Sequence, residues 1–502
     1  MGSTNASTAT GGAVVRSGLL SMVALAALGS MRLVHGSLVS RSTDHETYAV
    51  VGTLIGVAMA AGLFLPAGLA SAASKFISYQ RARTSADGAQ AVYRGLQRVG
   101  YAWALLTGIG GAIVSAALLD LAPGEAVFAG LLVAAFAVYS VEKAALYGFD
   151  RVAAYMRLEV VGSGLAVAST VLIVAMGWHA YLVPLILAYL VLAAGATVIL
   201  HRRIEGPRDV LPVREITGYV TLASIGGLTS FGYLQALPIV AARFTTRAEV
   251  AQFVAAVTLV GPLYFLPRAL GMALFPALAH AHGAGELDRV RRHTDLSTRV
   301  LLVLLAPTFA GTILVAREIL VLFGGDTYAS GVVVLQLLLM AVYVSVTQVP
   351  AVNALSSGTS RDVRVPVMSA VAGCGTGLVS AVPLGHWFGG TGVSAAYLLA
   401  VVAMQGPLVT VWRRYRMPWA GRVARSAAIV VGAFAVGRVV EAIVPPDGPR
   451  VLLDLSAALV VVALSVAILR NDIRSVISQA RRRPPDGDGV EYQTADDANV
   501  AK

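Results

Sequence analysis

Residues 48–73 read YAVVGTLIGVAMAAGLFLPAGLASAA, a stretch without one charged side chain. A helix that crosses a bilayer needs about 20 mostly apolar residues, so this segment is long enough to cross once. Asp44 and Glu46 bound it on one side and Lys75 on the other. Inside it, Gly52 and Gly56 make a small-residue packing motif, and Pro66 interrupts the backbone ladder. Its Phe64-Leu65-Pro66 returns as Phe265-Leu266-Pro267, 201 residues later.

Working outward, the whole chain has the same character. Of 502 residues 57% are hydrophobic and 13% charged, against about 25% charged in soluble proteins; with a mean hydropathy of +0.75, a soluble globular enzyme is excluded. Apolar windows bounded by charge or Gly/Pro clusters fall at 14–39, 48–73, 93–119, 125–147, 155–177 and 180–201, then at 213–242, 250–279, 294–316, 329–357, 361–384 and 391–412, and finally at 421–443 and 450–470. These predict an all-α integral membrane protein of about fourteen transmembrane helices. The window from Val14 is too long for a signal-peptide core and reads as a retained first helix.

The basic residues test this parse, because Lys and Arg collect on the cytoplasmic side of a membrane protein. Assigning loops alternately to two sides puts 30 of the 38 lysines and arginines on the side of both termini. The opposite side holds only Arg41, Arg243, Arg247, Arg317, Arg438 and Arg450, and Arg32 and Arg268 fall within helices. Both termini are therefore predicted cytoplasmic. The net charge of +11 is topology and attraction to anionic lipid, and no nucleic-acid partner is expected.

Shifting the first six windows by 201 residues overlays them on the second six, with the sixth-to-twelfth pair slipping by about ten residues. Six is even, so both halves enter the membrane from the same side and the repeat is parallel, about an axis along the membrane normal. The expected organisation is a short disordered lead (1–13), an N-lobe of helices one to six (14–201), a C-lobe of helices seven to twelve (213–412), two further helices (421–470) and a largely disordered cytoplasmic tail (471–502).

Between helices nine and twelve stand Ala306-Pro307, Arg317-Glu318-Ile319-Leu320, Phe323-Gly324-Gly325-Asp326-Thr327-Tyr328, Asn353-Ala354-Leu355-Ser356-Ser357-Gly358 and Gly390-Thr391-Gly392-Val393-Ser394-Ala395-Ala396. Their order resembles the polysaccharide flippases of the multidrug/oligosaccharidyl-lipid/polysaccharide (MOP) exporter superfamily, the Wzx-like exporters and the related MurJ flippases. Pro66 to Ala72 with Lys75-Phe76, and Phe275-Pro276-Ala277-Leu278, look like the ends of that family's second and eighth helices. The resemblance implies two six-helix lobes in a V around a central cavity, and movement of a lipid-linked saccharide from inner to outer leaflet of a bacterial plasma membrane. Membrane lipids and polysaccharide-assembly enzymes are the partners it implies. The first helix departs from MurJ in having only Arg32 well inside, and has no acidic residue of the kind drug exporters of the superfamily commonly carry there.

Candidate cavity residues follow from cost. A mid-helix arginine costs about 2.5–3.5 kcal/mol on insertion scales, so Arg32 and Arg268 need a purpose. A guanidinium grips a diphosphate in bidentate fashion; alternatively Arg32, with His35 one turn on, reaches the outer headgroups. Ser230, Tyr233 and Gln235 in helix seven and Asn353 in helix ten are suited to sugar hydroxyls or to interhelical hydrogen bonds. Pro66, Pro238, Pro267 and Pro350 mark candidate broken helices or hinges.

No metal is expected, since His179 and His386 lack a second ligand at metal spacing and Cys374 is a lone cysteine. Nor is a cofactor: there is no G-x-x-x-x-G-K-[ST] phosphate loop, and the membrane potential or an ion gradient would supply the drive. Two alternatives stand beside the flippase. One is a multidrug or cation antiporter of the same fold; the other is a membrane polysaccharide polymerase or ligase, against which the short outer loops argue.

Overall fold

A computed structural model describes residues 4–481 apart from 84–85, 120, 202–212, 228, 230–231, 265–273, 275–277, 279–280, 283–284 and 444–449. Every regular element among the described residues is helical. The first half contains α1 (Thr4–Ser42), α2 (His45–Leu63), α3 (Pro66–Arg83), α4 (Ala86–Leu119), α5 (Pro123–Gly148), α6 (Val152–Met176) and α7 (Val183–Leu200). The second contains α8 (Val213–Gly227), α9 (Tyr233–Ala242), α10 (Arg247–Val260), α11 (Leu287–Leu314), α12 (Ala316–Gly324), α13 (Val332–Thr347), α14 (Val349–Ser356), α15 (Ser360–Ala403) and α16 (Gly406–Tyr415). Two long helices follow, α17 (Ala420–Ile443) and α18 (Arg450–Arg481).

Ten helices among the described residues are long and apolar enough to cross a membrane, and eleven if the bent pair 45–62 and 66–78 is one span. The chain is therefore a multi-pass membrane protein, and the count among the described residues does not reach the expected fourteen. Windows seven and eight fall partly outside the described residues, as do Ser230, Pro267 and Arg268. Windows eleven and twelve merge within one helical run broken at Gly389, where φ is +55°. A Cβ on Gly392 would lie 1.8 Å from the Leu384 carbonyl oxygen, whereas eight residues of straight helix are about 12 Å long. The chain thus doubles back at Gly389, in a conformation open to glycine because it has no Cβ.

Prolines account for the other breaks. Pro66 opens α3 after the Phe64–Leu65 turn, where the pair bends by 47°; Pro350 opens α14 directly after α13 ends. Proline is tolerated in a first helical turn because its missing N–H has no partner there. Pro238 lies inside α9, buried against Gly56 of α2.

Helix α1 begins at Thr4, so the polar residues 4–13 continue it, and its membrane-crossing part is Leu20–Ser42. At the other end α18 carries through the first residues of the tail to Arg481. The last two helices pack chiefly on α11 rather than on each other.

The two halves meet along α2 and α3. Residues 201 apart in the sequence face each other there: Glu46 pairs with Arg247. Close by, a Cβ on Gly52 would fall 2.0 Å from Val254 Cγ1, and the bare glycine lets α2 and α10 approach.

Candidate functional site

The N-lobe interior carries charge. On α5, Phe136, Tyr139, Lys143 and Tyr147 recur every three or four residues and share one face. Lys143 Nζ donates to the Tyr139 hydroxyl (3.1 Å), which donates to Glu159 Oε2 of α6 (2.9 Å). The Tyr139 ring lies tilted 4.9 Å from that of Tyr189 of α7, whose hydroxyl accepts from Arg32 Nη2 (3.0 Å). The Arg32 guanidinium also sits 6.0 Å from the Phe136 ring centroid, and the Lys143 ammonium 5.1 Å from that of Tyr155. The result is a column of one arginine, one lysine and one glutamate, held by tyrosines. Aromatic faces and charge-assisted hydrogen bonds offset the cost of burying these groups.

This geometry answers two sequence expectations. Arg32 turns into the lobe rather than toward headgroups, and His35 follows it, 2% exposed with Nδ1 2.9 Å from Thr170 Oγ1. Lys143, which the alternation of loops assigns to a cytoplasmic loop, lies inside α5. One residue away, and so about 100° around the helix, fully buried Glu142 points to a different face. It accepts from Tyr93 (2.8 Å), Gln97 (2.8 Å) and Tyr101 (2.9 Å) of α4. The spacing of four that aligns 93, 97 and 101 is the sequence signal for this cluster. It names no partner on another helix, which is why Glu142 could not be found from it.

Among the described residues, the polar groups at the centre of the C-lobe are uncharged. Tyr233 is buried, its ring 5.6 Å from that of Tyr397, whose hydroxyl lies 3.1 Å from the Tyr264 hydroxyl. Gln336 donates to the Ile313 carbonyl (3.1 Å) and Gln405 to the Val344 carbonyl (3.1 Å). Tyr233 Oη, Gln348 Oε1 and Asn353 Nδ2 are buried with no hydrogen-bond partner among the described residues. Gln235 contributes backbone, its carbonyl oxygen 3.1 Å from where a Gly56 Cβ would be. Arg32 and Tyr233 thus sit in different lobes, and no hydrogen bond or ring contact joins them among the described residues.

A seal closes the arginine-poor side between the lobes. Arg41, at the end of α1, reaches the C-terminus of α12, donating to the carbonyls of Val321 (3.1 Å), Leu322 (2.6 Å) and Phe323 (3.2 Å). Ser37 Oγ adds a bond to Phe323 O (2.6 Å). A cation at the negative end of a helix dipole is favourable, and it satisfies carbonyls that have no helical partner. The Glu46–Arg247 pair and ring contacts of Tyr328 with His45 (4.9 Å) and Tyr48 (5.7 Å) complete this seal. Toward the arginine-rich side, α3 meets α8: Lys75 lies 4.2 Å from the Tyr219 ring centroid, and Gly68 packs on the Val220 carbonyl.

Outside the spans, hydrogen bonds from Thr47 hold the Asp44 carboxyl below its ordinary range. Burial, then the neighbouring Asp454 carboxyl, push Glu318 up to about 7.

Solved structures share this architecture. The lipid II flippase MurJ in an inward closed conformation superposes with a TM-score of 0.66 at 11% identity, covering 91% of this chain and 99% of that one. An inward-facing multidrug resistance MATE family transporter of the MOP superfamily gives 0.63 at 17% identity, over 77% and 94%. A MOP superfamily transporter from Pyrococcus furiosus gives 0.58 at 16%, over 83% and 96%. At these identities the likeness establishes the fold. No curated protein matches the sequence. The family described as polysaccharide biosynthesis protein matches residues 46–333, more than half the chain, and the chain belongs to that family.

Proposed function

We propose that this protein is a flippase that carries a polyprenyl-(pyro)phosphate-linked oligosaccharide from the inner to the outer leaflet of a bacterial plasma membrane, by alternating access. In this reading the arginine-rich side and both termini are cytoplasmic. The observation that carries it is the Arg32–Lys143 column: two cations against one carboxylate inside the N-lobe, a site for the (pyro)phosphate of a substrate. Arg268 is proposed as a further cation of the path. The unpartnered polar atoms of Tyr233, Gln348 and Asn353, with Gln235 and Ser230, are proposed to meet sugar hydroxyls from the C-lobe. Pro66, Pro238, Pro267 and Pro350 are the proposed bending points.

The seal on the arginine-poor side holds the substrate path shut toward the outer leaflet until the lobes rock. Moving about two negative charges outward, an inside-negative potential assists by roughly 2.3 kcal/mol per charge per 100 mV. The test is protected-to-accessible transfer of a fluorescent polyprenyl-diphosphate oligosaccharide in proteoliposomes, with and without an imposed potential. Transfer that rises with the potential and falls in Arg32→Ala supports the proposal. No transfer, with drug or cation efflux from the same vesicles, replaces it with an antiporter.

A further inference from the structure

A second charged site lies away from the lobe interior, where α11 and α17 begin on the arginine-rich side. Asp288, Arg291, Arg292, Asp295, Arg299, Met417 and Pro418 surround a cavity of about 330 Å³, within the lower range of small-ligand sites. Its two carboxylates are not equal. Asp295 is already engaged: Trp419 Nε1 donates to Oδ1 (2.8 Å) and Arg299 pairs with it one helical turn away. Asp288 stands in the first turn of α11, where a carboxylate offsets the positive end of the helix dipole. Arg291 and Arg292 make no hydrogen bond or ion pair among the described residues, and buried Arg299 Nε has no partner. The cavity therefore keeps an excess of donors and positive charge.

Its position selects among anions. The cavity lies where two spans start, the depth of the headgroups. Met417 and Pro418 give it an apolar wall, and Leu287 beside it is 52% exposed. Trp419 is fully buried and holds the lining residue Asp295 through its indole N–H. We propose that the cavity binds the phosphate of an anionic phospholipid, with Arg291 and Arg292 as the gripping residues and Arg299 as the buried donor. Guanidinium suits a phosphodiester because its paired N–H groups match two oxygens. A lipid held there braces α11, on which both α17 and α18 pack, and this role is separate from transport through the lobe interior.

The test uses the full-length protein, delipidated in detergent and titrated with phosphatidylglycerol or phosphatidylcholine, with bound lipid counted by native mass spectrometry. Arg291→Gln/Arg292→Gln alters only exposed positions and is compared with Arg361→Gln/Arg364→Gln, which removes the same charge elsewhere on that side. Losing one charge-assisted contact per arginine predicts a fall of roughly tenfold or more in phosphatidylglycerol affinity for the first variant only. Equal losses in both variants, no loss, or equal retention of phosphatidylcholine by the parent protein overturns the proposal. Preferential displacement of phosphatidylglycerol by polyprenyl diphosphate also overturns it, assigning the cavity to a substrate-like lipid.

Discussion

The two lobes share a repeat and differ in chemistry. Described residues of the N-lobe bury Arg32, Lys143, Glu142 and Glu159 among tyrosines, whereas corresponding depths of the C-lobe hold Tyr233, Tyr264, Tyr397, Gln336 and Gln405. Helix packing responds to shape and small residues, so a duplicated fold survives while its interior diverges. Charge inside a membrane is costly enough to be kept only where it works. Under the proposed function, the difference means that the lobes divide the labour: the N-lobe column meets the anion of the substrate, and the described part of the C-lobe offers neutral hydrogen bonding.

The largest expected effects test that division directly. Arg32→Ala combined with Lys143→Met should slow transfer of a diphosphate-linked substrate by about 10- to 100-fold, the worth of one or two hydrogen bonds to charge. Tyr233→Phe in the opposite lobe should change the rate by no more than a few-fold, and equal losses from both variants would erase the contrast. In the same vein, Glu159→Leu leaves two buried cations uncompensated and should cost about 3–5 kcal/mol, whereas Gln336→Leu removes one neutral hydrogen bond worth about 1 kcal/mol. Thermal unfolding of the two purified variants side by side checks the ordering.

The interface between lobes gives the next scale. Gly52→Leu would drive a side chain into Val254, and overpacking of this kind costs about 1–3 kcal/mol. It should lower the yield of a disulfide between Glu46→Cys and Arg247→Cys, and a second change, Val254→Ala, should restore it. Arg41→Ala uncaps α12 for about 1–2 kcal/mol and should make the path more accessible from the arginine-poor side to a membrane-impermeant thiol reagent.

The smallest effect is electrostatic. Glu318 titrates near 7 in the folded protein against an ordinary 4.5, so the folded state holds a proton that the unfolded chain releases. Its contribution is complete below about 4.5 and is lost as pH rises through 7. Replacing it by Gln should flatten the decline of the unfolding temperature across that window.

How much was legible in the sequence varied with the kind of interaction. Spans were legible in stretches such as 48–73 because burial in lipid acts on each segment by itself. The repeat could be read from Phe64-Leu65-Pro66 and its echo, whereas the pairing of Glu46 with Arg247 is a contact that only the fold reveals. Arg32 stood out because a lone charge in an apolar window has an obvious cost. Lys143 did not, since near a helix end it looks like an ordinary basic loop residue.

What the sequence by itself determined is therefore local and additive: the apolar lengths, the alternation of arginine-rich and arginine-poor sides, the proline breaks and the duplicated order. Lipid and water act on each residue regardless of its distant neighbours, so those properties can be summed along the chain. Only the tertiary structure decided which charges face each other. Arg32 and Tyr189 are 157 residues apart, and Arg41 and Phe323 282 apart. Such pairs are specified by the rotation and tilt of packed helices, which side-chain shape sets collectively and no single segment encodes.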